Sequence, residues 1–326
     1  MAEMFAKCAV CRALIDEEDL FCANCGREAP DRSRETTRPA QWNATHNFQC
    51  DACGASMSYD ASAQNLRCPF CGSQKLQAQH DVKMLSPQHV VPFRIAHGEA
   101  QQRLRQWLGH SFWHPSELAR RATIESMQAV YVPFWVFSAH TWTYWTADTS
   151  EVPPTARAHW RPLAGEHRGH YEGLLIGGSS VLSPSETHAL CPYDLSAAVP
   201  PEQIDLDNVV YEQFRVQRRY ARPLAQQGLE AQEIAACTAY VPGQARNVKV
   251  NVRLDSLASE PVLLPVWIMA YRYEDQVYRF LINGQTGQAT GHAPRDWKKV
   301  ALLVGLGAAV LLGLVLLFAL CAGLAA

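Results

Sequence analysis

Cys50-Asp-Ala-Cys53-Gly54 and Cys68-Pro-Phe-Cys71-Gly72 are two Cys-x-x-Cys pairs with fourteen residues between them. A tight Cys-x-x-Cys turn presents two thiolates to one ion, and two such turns supply the four ligands of a tetrahedral zinc site. Glycine after the second cysteine suits this turn, because glycine adopts positive φ without steric cost. We therefore predict a four-cysteine zinc ribbon over residues 48–75.

The same pattern occurs once before it, with Cys8-Ala-Val-Cys11 and Cys22-Ala-Asn-Cys25 separated by ten residues. This predicts a first ribbon over residues 1–26 and a second Zn²⁺. Four thiolates form a closed ligand set, so both ions are expected to be structural. Disulfides and iron–sulfur clusters are the alternatives for such cysteine pairs. Residues 27–47 are charged and lack an apolar period, which predicts a linker.

The opposite end of the chain is apolar. Residues 300–324 carry no charged side chain, and a helix of this length covers the ~30 Å hydrocarbon core of a bilayer. Hence we predict a transmembrane helix, preceded by flanking residues that suit a membrane interface: Arg295, Trp297, Lys298 and Lys299. Within it, small residues recur every four positions, which favours helix–helix packing and an oligomer: Gly305, Ala309 and Gly313.

The flanking charges also predict an orientation. Lysine and arginine residues accumulate on the cytoplasmic side of a span, and no apolar segment of the signal-peptide type precedes Cys8. Zinc-bound thiolates require a reducing compartment as well. The sequence therefore predicts a tail-anchored, single-pass protein of the cytoplasmic (inner) membrane with its N-terminus in the cytoplasm.

The body, residues 83–293, combines helix-like and strand-like segments. Val132-Pro133-Phe134-Trp135 resembles Leu264-Pro265-Val266-Trp267, and each segment follows a helix-like stretch. Proline at the start of a strand and tryptophan two residues later are shared by both. We predict an α+β fold class: two small N-terminal zinc ribbons, an internally duplicated α+β domain of two related halves with antiparallel sheets, and one C-terminal transmembrane helix.

Several kinds of chemistry lack support in the sequence. Net charge is −2, and up to residue 83 eleven acidic residues outnumber nine basic ones, which argues against nucleic-acid binding. No phosphate-binding loop or dinucleotide fingerprint is present, and we predict no catalytic residue. Two alternatives stay open: a metal site formed by His167 and His170 with His159 nearby, and a Cys–His pair that uses Cys191 or Cys237.

The chain also resembles a known family. Cys50-x-x-Cys-Gly with Cys68-Pro-Phe-Cys-Gly, Tyr131-Val-Pro-Phe-Trp, Leu264-Pro-Val-Trp and Asn283-Gly-Gln-Thr-Gly resemble segments of bacterial membrane proteins with a TFIIB-type zinc ribbon. Proteins of that family are often labelled as similar to primosomal replication factor Y. The resemblance covers residues 48–299 and implies an accessory role beside SPFH-domain or phage-shock-type membrane proteins.

These observations lead to one main hypothesis about function. We expect a non-enzymatic, tail-anchored adaptor or scaffold that presents its zinc ribbons and α+β domain to cytoplasmic protein partners. The first alternative is a membrane-tethered nucleic-acid-binding protein of replication or transcription. The second alternative is an enzyme that uses a pocket in the α+β domain.

Overall fold

A computed structural model describes residues 5–16, 22, 24, 27, 41–42, 47–59, 66–79 and 84–324. The strands are β1 (Phe5–Lys7), β2 (Leu14–Asp16), β3 (Gln41–Trp42), β4 (Asn47–Cys50), β5 (Ser56–Ser58), β6 (Leu76–Gln79), β7 (Met84–Leu85), β8 (His89–Val90), β9 (Thr123–Thr149), β10 (Arg161–Gly177), β11 (Val210–Glu212), β12 (Ala245–Tyr273), β13 (Gln276–Asn283) and β14 (Ala289–Gly291). The helices are α1 (His97–His110), α2 (Leu118–Arg121), α3 (Pro184–Leu190), α4 (Arg218–Thr238) and α5 (Trp297–Leu324).

One ten-stranded sheet organises the described part of the chain. Its strands follow the order β14-β13-β12-β9-β11-β5-β4-β6, while β10 pairs with β9 and β8 pairs with β12. The long strands β9 and β12 are antiparallel over almost their whole length. This mixed α+β architecture with one large sheet is the part of the predicted fold class that the structure supports.

Alternation along β9 separates two cores. Val130, Val132 and Phe134 point to one face, where they join the cluster that contains Cys50 and Cys68. Residues of the opposite parity pack against the long helices on the other face, because successive side chains of a strand alternate. These residues are Trp135, Phe137 and Ala139, whereas Tyr131, of the same parity, packs with Val90 and Leu263.

The strands around the centre of the sheet have a two-fold arrangement. Val132 pairs with Leu264 in the antiparallel register, and these are the equivalent residues of the two similar segments. Strand β8 adds in parallel to β12 at Val262 and Leu263, while β11 adds in parallel to β9 at Val130 and Tyr131. Each short strand is therefore followed by a long helix and then by one of the two long strands.

The two tryptophans of the similar segments make matching contacts. Trp135 donates its indole N–H to the carbonyl oxygen of Val216 at 2.8 Å, just before α4. Trp267 donates its indole N–H to the carbonyl oxygen of Ile95 at 2.9 Å, just before α1. A buried indole N–H requires such a partner, and here each one fixes the start of a helix on the sheet.

The Asn-Gly-Gln-Thr-Gly segment is a structural turn after β13. The Asn283 side-chain oxygen accepts hydrogen bonds from the backbone N–H groups of Gln285 and Thr286, at 2.8 and 2.9 Å. Its amide nitrogen donates to the carbonyl oxygens of Leu190 and Pro192, both at 2.9 Å. The buried Asn283 thus ties the end of α3 and the residues after it to the end of β13.

The predicted transmembrane helix over residues 300–324 is contradicted. Nowhere in the described parts of the chain is there a helix both long and apolar enough to cross a membrane. The apolar composition of residues 300–324 therefore did not predict a membrane-spanning helix correctly.

This finding also overturns the predictions that rested on a transmembrane helix. The membrane-anchored fold class, the tail-anchored topology and the inner-membrane localisation are wrong on this ground. The assignment of two ribbons, a linker and two related halves stays a prediction. Most of the predicted linker, residues 27–47, lies outside the described residues, of which it contains Arg27, Gln41–Trp42 and Asn47.

We expect Gly284→Ala to destabilise the packing of the turn after β13. A Cβ at this position would lie 2.5 Å from Phe93 Cδ1 and 2.9 Å from Pro265 Cβ, and such overpacking costs about 1–3 kcal/mol. Gly98→Ala is the control, since no atom lies within 4 Å of its added Cβ. Urea unfolding measures both variants, and equal midpoints would contradict this account of Gly284.

Candidate metal centre

The described cysteine pairs fold as matching turns. Cys50 N–H donates to the carbonyl oxygen of Ala55, and Gly54 N–H donates to that of Cys50, both at 2.8 Å. Cys68 N–H donates to Ser73 and Gly72 N–H to Cys68, again both at 2.8 Å. Gly54 and Gly72 have φ values of +77° and +74°, so the sequence placed glycine where the turn requires the left-handed conformation.

The two turns bring four sulfur atoms together. The sulfur atoms of Cys50 and Cys71 are 3.6 Å apart, and those of Cys53 and Cys68 are 3.5 Å apart. All four lie within 4.8 Å of one another. Tetrahedral thiolate coordination at ~2.3 Å places sulfurs about 3.8 Å apart, so this set can hold one metal ion with small adjustments.

The electrostatics of the thiols favour a bound cation. A hydrogen bond from Cys68 lowers the pKa of Cys53 to about 5, whereas the same hydrogen bond and burial raise the pKa of Cys68. Burial raises the pKa of Cys71 to about 11. Without an ion, Cys53, Cys68 and Cys71 cannot all ionise, because each thiolate repels the next. A divalent cation removes this conflict.

This cysteine set is part of the main core. Cys50 and Cys68 are buried in the cluster that includes Val132 and Leu264 from the centre of the sheet. Strand β5, which lies between the two turns, pairs with β11, and β11 pairs with β9. The second ribbon region is therefore joined to the body by sheet hydrogen bonds as well as by apolar packing.

The first cysteine set is described in part. Cys8, Cys11 and Cys22 have their sulfur atoms within 4.8 Å of one another, and the sulfur atoms of Cys11 and Cys22 are 3.5 Å apart. Arg12 takes the place of the turn glycine with a φ of 59°, and its N–H donates to Cys8 at 2.9 Å. The predicted fourth ligand, Cys25, lies outside the described residues.

Two of the residues predicted to flank a membrane, Lys298 and Lys299, make hydrogen bonds within the protein. Lys299 Nζ donates to the carbonyl oxygens of Phe112 and His114, at 3.2 and 2.8 Å. Lys298 N–H donates to the Asp296 carboxylate at 3.1 Å, which secures the start of α5. The remaining predicted residues are exposed: Arg295, Trp297, Gly305, Ala309 and Gly313.

His167 and His170, which the sequence offered as a metal-binding pair, do not form one metal site. His167 and His170 are three residues apart on β10, and the alternating burial of that strand places them on opposite faces. His170 Nε2 contacts Glu172 at 3.0 Å, whereas His167 Nδ1 contacts Glu233 at 2.8 Å. Only His167 therefore faces α4.

Two cysteines of the body, Cys191 and Cys237, lie outside the ribbons, and the pKa of each thiol is raised. Cys237 is buried, and desolvation together with the charge of Glu233 raises the pKa of its thiol to about 11. Cys191 is half-buried, and desolvation raises the pKa of its thiol as well. A raised thiol pKa opposes nucleophilic chemistry, since the thiolate is the reactive form.

Sequence reasoning missed Glu212, a fully buried carboxyl group on β11 between the second cysteine set and the body. Its Oε1 accepts hydrogen bonds from Ser179 Oγ at 2.9 Å and from Ser180 N–H at 3.0 Å. Its Oε2 has no hydrogen-bond partner. Burial raises the pKa of Glu212 to about 7. No sequence signal marked it, because its burial follows from long-range strand pairing.

Comparisons with known proteins give the chain no function. No protein-family model matches it, and no solved structure matches it. The chain is similar to the uncharacterised protein YdjG of Bacillus subtilis (strain 168), with 25% identity over 315 residues, which cover 78% of this chain and 92% of YdjG. The structure by itself shows an α+β protein with two groups of cysteines that can hold metal ions.

We expect Cys68→Ser to abolish metal binding at the second cysteine set and to destabilise the whole body. The cost should be about 3 kcal/mol or more, since structural metal binding contributes on the order of 10 kcal/mol in small zinc-bound domains. Cys8→Ser is the control, because Cys8 packs in a separate small cluster with Ile15 and Cys22. Denaturant unfolding followed by tryptophan fluorescence measures the free energy of unfolding of both variants. An equal loss in the two variants would contradict this view.

We expect the stability of the body to fall with rising pH because of Glu212. The folded chain holds this proton up to about pH 7, whereas an unfolded glutamate releases it near pH ~4.3. The contribution is full below pH ~4 and lost above about 7, a change of up to ~4 kcal/mol. Glu212→Gln should flatten this dependence in urea unfolding between pH 5 and 8, whereas the exposed control Glu202→Gln should preserve it.

Proposed function

We propose that this chain is a non-enzymatic adaptor whose body is stabilised by structural Zn²⁺ and whose surface binds protein partners. The observation that carries the proposal is the second cysteine set. Four cysteine ligands would leave the ion no open position for substrate or water, and two of them are buried in the main core. Such an ion shapes a protein and performs no chemistry.

The spacing and ligand type favour zinc over other metals. All donors in both sets are thiolates from Cys-x-x-Cys turns, and tetrahedral sulfur sites of this kind select Zn²⁺ or iron–sulfur clusters. The predicted complement is two zinc ions per chain, with Cys25 as the fourth ligand of the first ion. Metal analysis of the purified chain distinguishes zinc from iron.

Helix α5 supplies the surface for a partner protein. Its described part exposes a continuous apolar surface that includes Leu302, Val304, Leu306 and Val310. Beside its start lie exposed aromatic side chains, those of Phe112, Trp113 and Trp297. An exposed apolar patch of this extent is typical of protein interaction sites, and a protein partner would bury it. The resemblance to the zinc-ribbon family suggests SPFH-domain or phage-shock-type proteins as candidates.

A nucleic-acid-binding function has one specific observation in its favour. On the outer surface of the long strands, the guanidinium carbons of Arg168 and Arg253 lie 4.6 and 5.9 Å from the ring centroid of Trp142. Aromatic and cationic side chains in alternation bind single strands in other proteins. Here, however, Glu166 accepts the Trp142 indole N–H and Asp255 pairs with Arg253, so acidic groups oppose phosphate binding.

We expect charge substitutions on α5 to disrupt partner binding. Leu306→Glu combined with Val310→Glu places two carboxylates on the exposed apolar surface, and the cost of desolvating them should lower partner recovery by about tenfold or more. Quantitative mass spectrometry of cross-linked complexes from the native host measures this recovery. Val277→Glu is the control, since Val277 is exposed on the separate β12–β13 hairpin.

Two outcomes would overturn the adaptor proposal. The first is an unchanged set of cross-linked partners in the α5 variant. The second is tight, strongly salt-dependent binding of a single-stranded oligonucleotide in a mobility-shift assay, which would favour the nucleic-acid alternative.

A further inference from the structure

A cluster of polar side chains is buried between α4 and the β9–β10 pair. The buried face of α4 repeats every four residues, through Ala221, Ala225 and Leu229. The same stripe then continues with Glu233 and Cys237, which are both fully buried. A carboxylate in an apolar stripe is costly unless charge and hydrogen bonds compensate for its desolvation.

Three potential ligand atoms of different types, one of them an oxygen of this carboxylate, lie close together. Glu233 Oε2 lies 2.8 Å from His167 Nδ1 and 3.9 Å from Cys237 Sγ. The side chains of His167, Glu233 and Cys237 each offer a ligand atom, and these atoms all lie within 4.8 Å of one another. Ligands around a tetrahedral zinc ion are separated by about 3.3–3.8 Å, so the present spacing brackets the required one.

The other carboxylate oxygen is held by a second layer of contacts. Thr141 Oγ1 donates a hydrogen bond to Glu233 Oε1, and Gly169 N–H donates to Thr141 Oγ1 at 3.1 Å. A Cβ at Gly169 would collide with Glu233 Oε1 and Thr141 Oγ1. This arrangement anchors Oε1 and directs Oε2 toward the imidazole and the thiol, as outer contacts do around metal-binding carboxylates.

Two further hydroxyl groups lie beside Glu233. Thr143 Oγ1 and Tyr171 Oη are both buried and both interact with the Glu233 carboxyl, but neither makes a hydrogen bond of normal geometry. Thr143 is fully buried. Buried polar atoms normally have partners, and a water or hydroxide completing the coordination of an ion would supply one.

The cluster is accessible to an ion from one side. The His167 side chain is 15% exposed, whereas that of Glu233 is 0% exposed. The exposed ring of Tyr240 lies beside His167, with their ring centroids 5.6 Å apart. Apolar residues close the cluster on both sides. Leu229 belongs to the hydrophobic cluster on one side, and Trp145 belongs to the cluster on the other side.

We propose that His167, Glu233 and Cys237 bind a third metal ion, a divalent transition metal of the zinc class. One nitrogen, one oxygen and one sulfur ligand suit a borderline-soft cation and disfavour Mg²⁺ or Ca²⁺, which prefer oxygen ligands alone. Three protein ligands leave one position for a solvent molecule. The ion links α4 to β10 in place of the direct contact between His167 Nδ1 and Glu233 Oε2.

This site is independent of the cysteine ribbons. It lies on the helix-covered face of the sheet, because Thr141 and Trp145 share the parity of Trp135 and Phe137 on β9. The second cysteine set packs on the opposite face with Val132 and Phe134. Loss of the third ion therefore leaves the ribbon ions and the adaptor proposal untouched.

The test is metal content of the full chain after saturation with Zn²⁺ and removal of loosely bound ion. His167→Ala and Cys237→Ser should each lower bound zinc by one ion per chain relative to the unchanged protein. Two control variants change the same residue types at positions outside the cluster. His170→Ala alters a histidine on the other face of β10, and Cys191→Ser alters a cysteine outside the cluster, so both should retain all ions.

A conservative variant covers the case in which these substitutions unfold the chain. Glu233→Gln keeps the shape and the acceptor for Thr141, but it removes the anionic ligand. Added Zn²⁺ should raise the melting temperature of the ribbon-loaded unchanged protein and leave that of Glu233→Gln unaffected. Equal zinc content in His167→Ala and His170→Ala would overturn the proposal. A zinc-induced rise in melting temperature that is the same in Glu233→Gln as in the unchanged protein would also overturn it, and the cluster would then be a hydrogen-bonded contact between α4 and β10.

Discussion

The antiparallel pairing of β9 with β12 is the constraint on which the rest of the structure depends. These strands run side by side from Thr123 to Thr149 and from Ala245 to Tyr273, and the cysteine-containing strands and helices α1 and α4 pack on their faces. Because side chains alternate along a strand, this single ladder creates two cores. One core receives the long helices, and the other receives the cysteine-containing strands.

The second cysteine set is part of the main fold and is not a separate zinc module. Its strands extend the main sheet through β11, and its buried cysteines touch the centre of the sheet. Metal binding and folding of the body are therefore coupled, since an ion that organises these turns also completes a face of the core. The first cysteine set packs mainly within its own small cluster, so its coupling to the body is weaker.

The two proposed kinds of metal site differ in chemistry and in what they can do. The cysteine sets are made of short local turns, and each closes around its ion with thiolates alone. The His167–Glu233–Cys237 cluster assembles from a strand and a helix, with mixed ligands and two buried hydroxyl groups beside it. An ion there would report on the docking of α4, because it joins two elements that are far apart in sequence.

The sequence by itself determined the local features: the cysteine turns with glycine at Gly54 and Gly72, the α+β composition, and the similar segments around Trp135 and Trp267. Each depends on residues a few positions apart, whose spacing fixes their geometry. The membrane prediction failed because hydropathy counted residues 300–324 as one span, whereas the described helix does not meet that requirement. Only the tertiary structure decided that His167 faces Glu233, that Glu212 is buried, and that the cysteine strands join the main sheet. Those contacts join residues tens to more than a hundred positions apart, and strand register rather than local pattern brings them together.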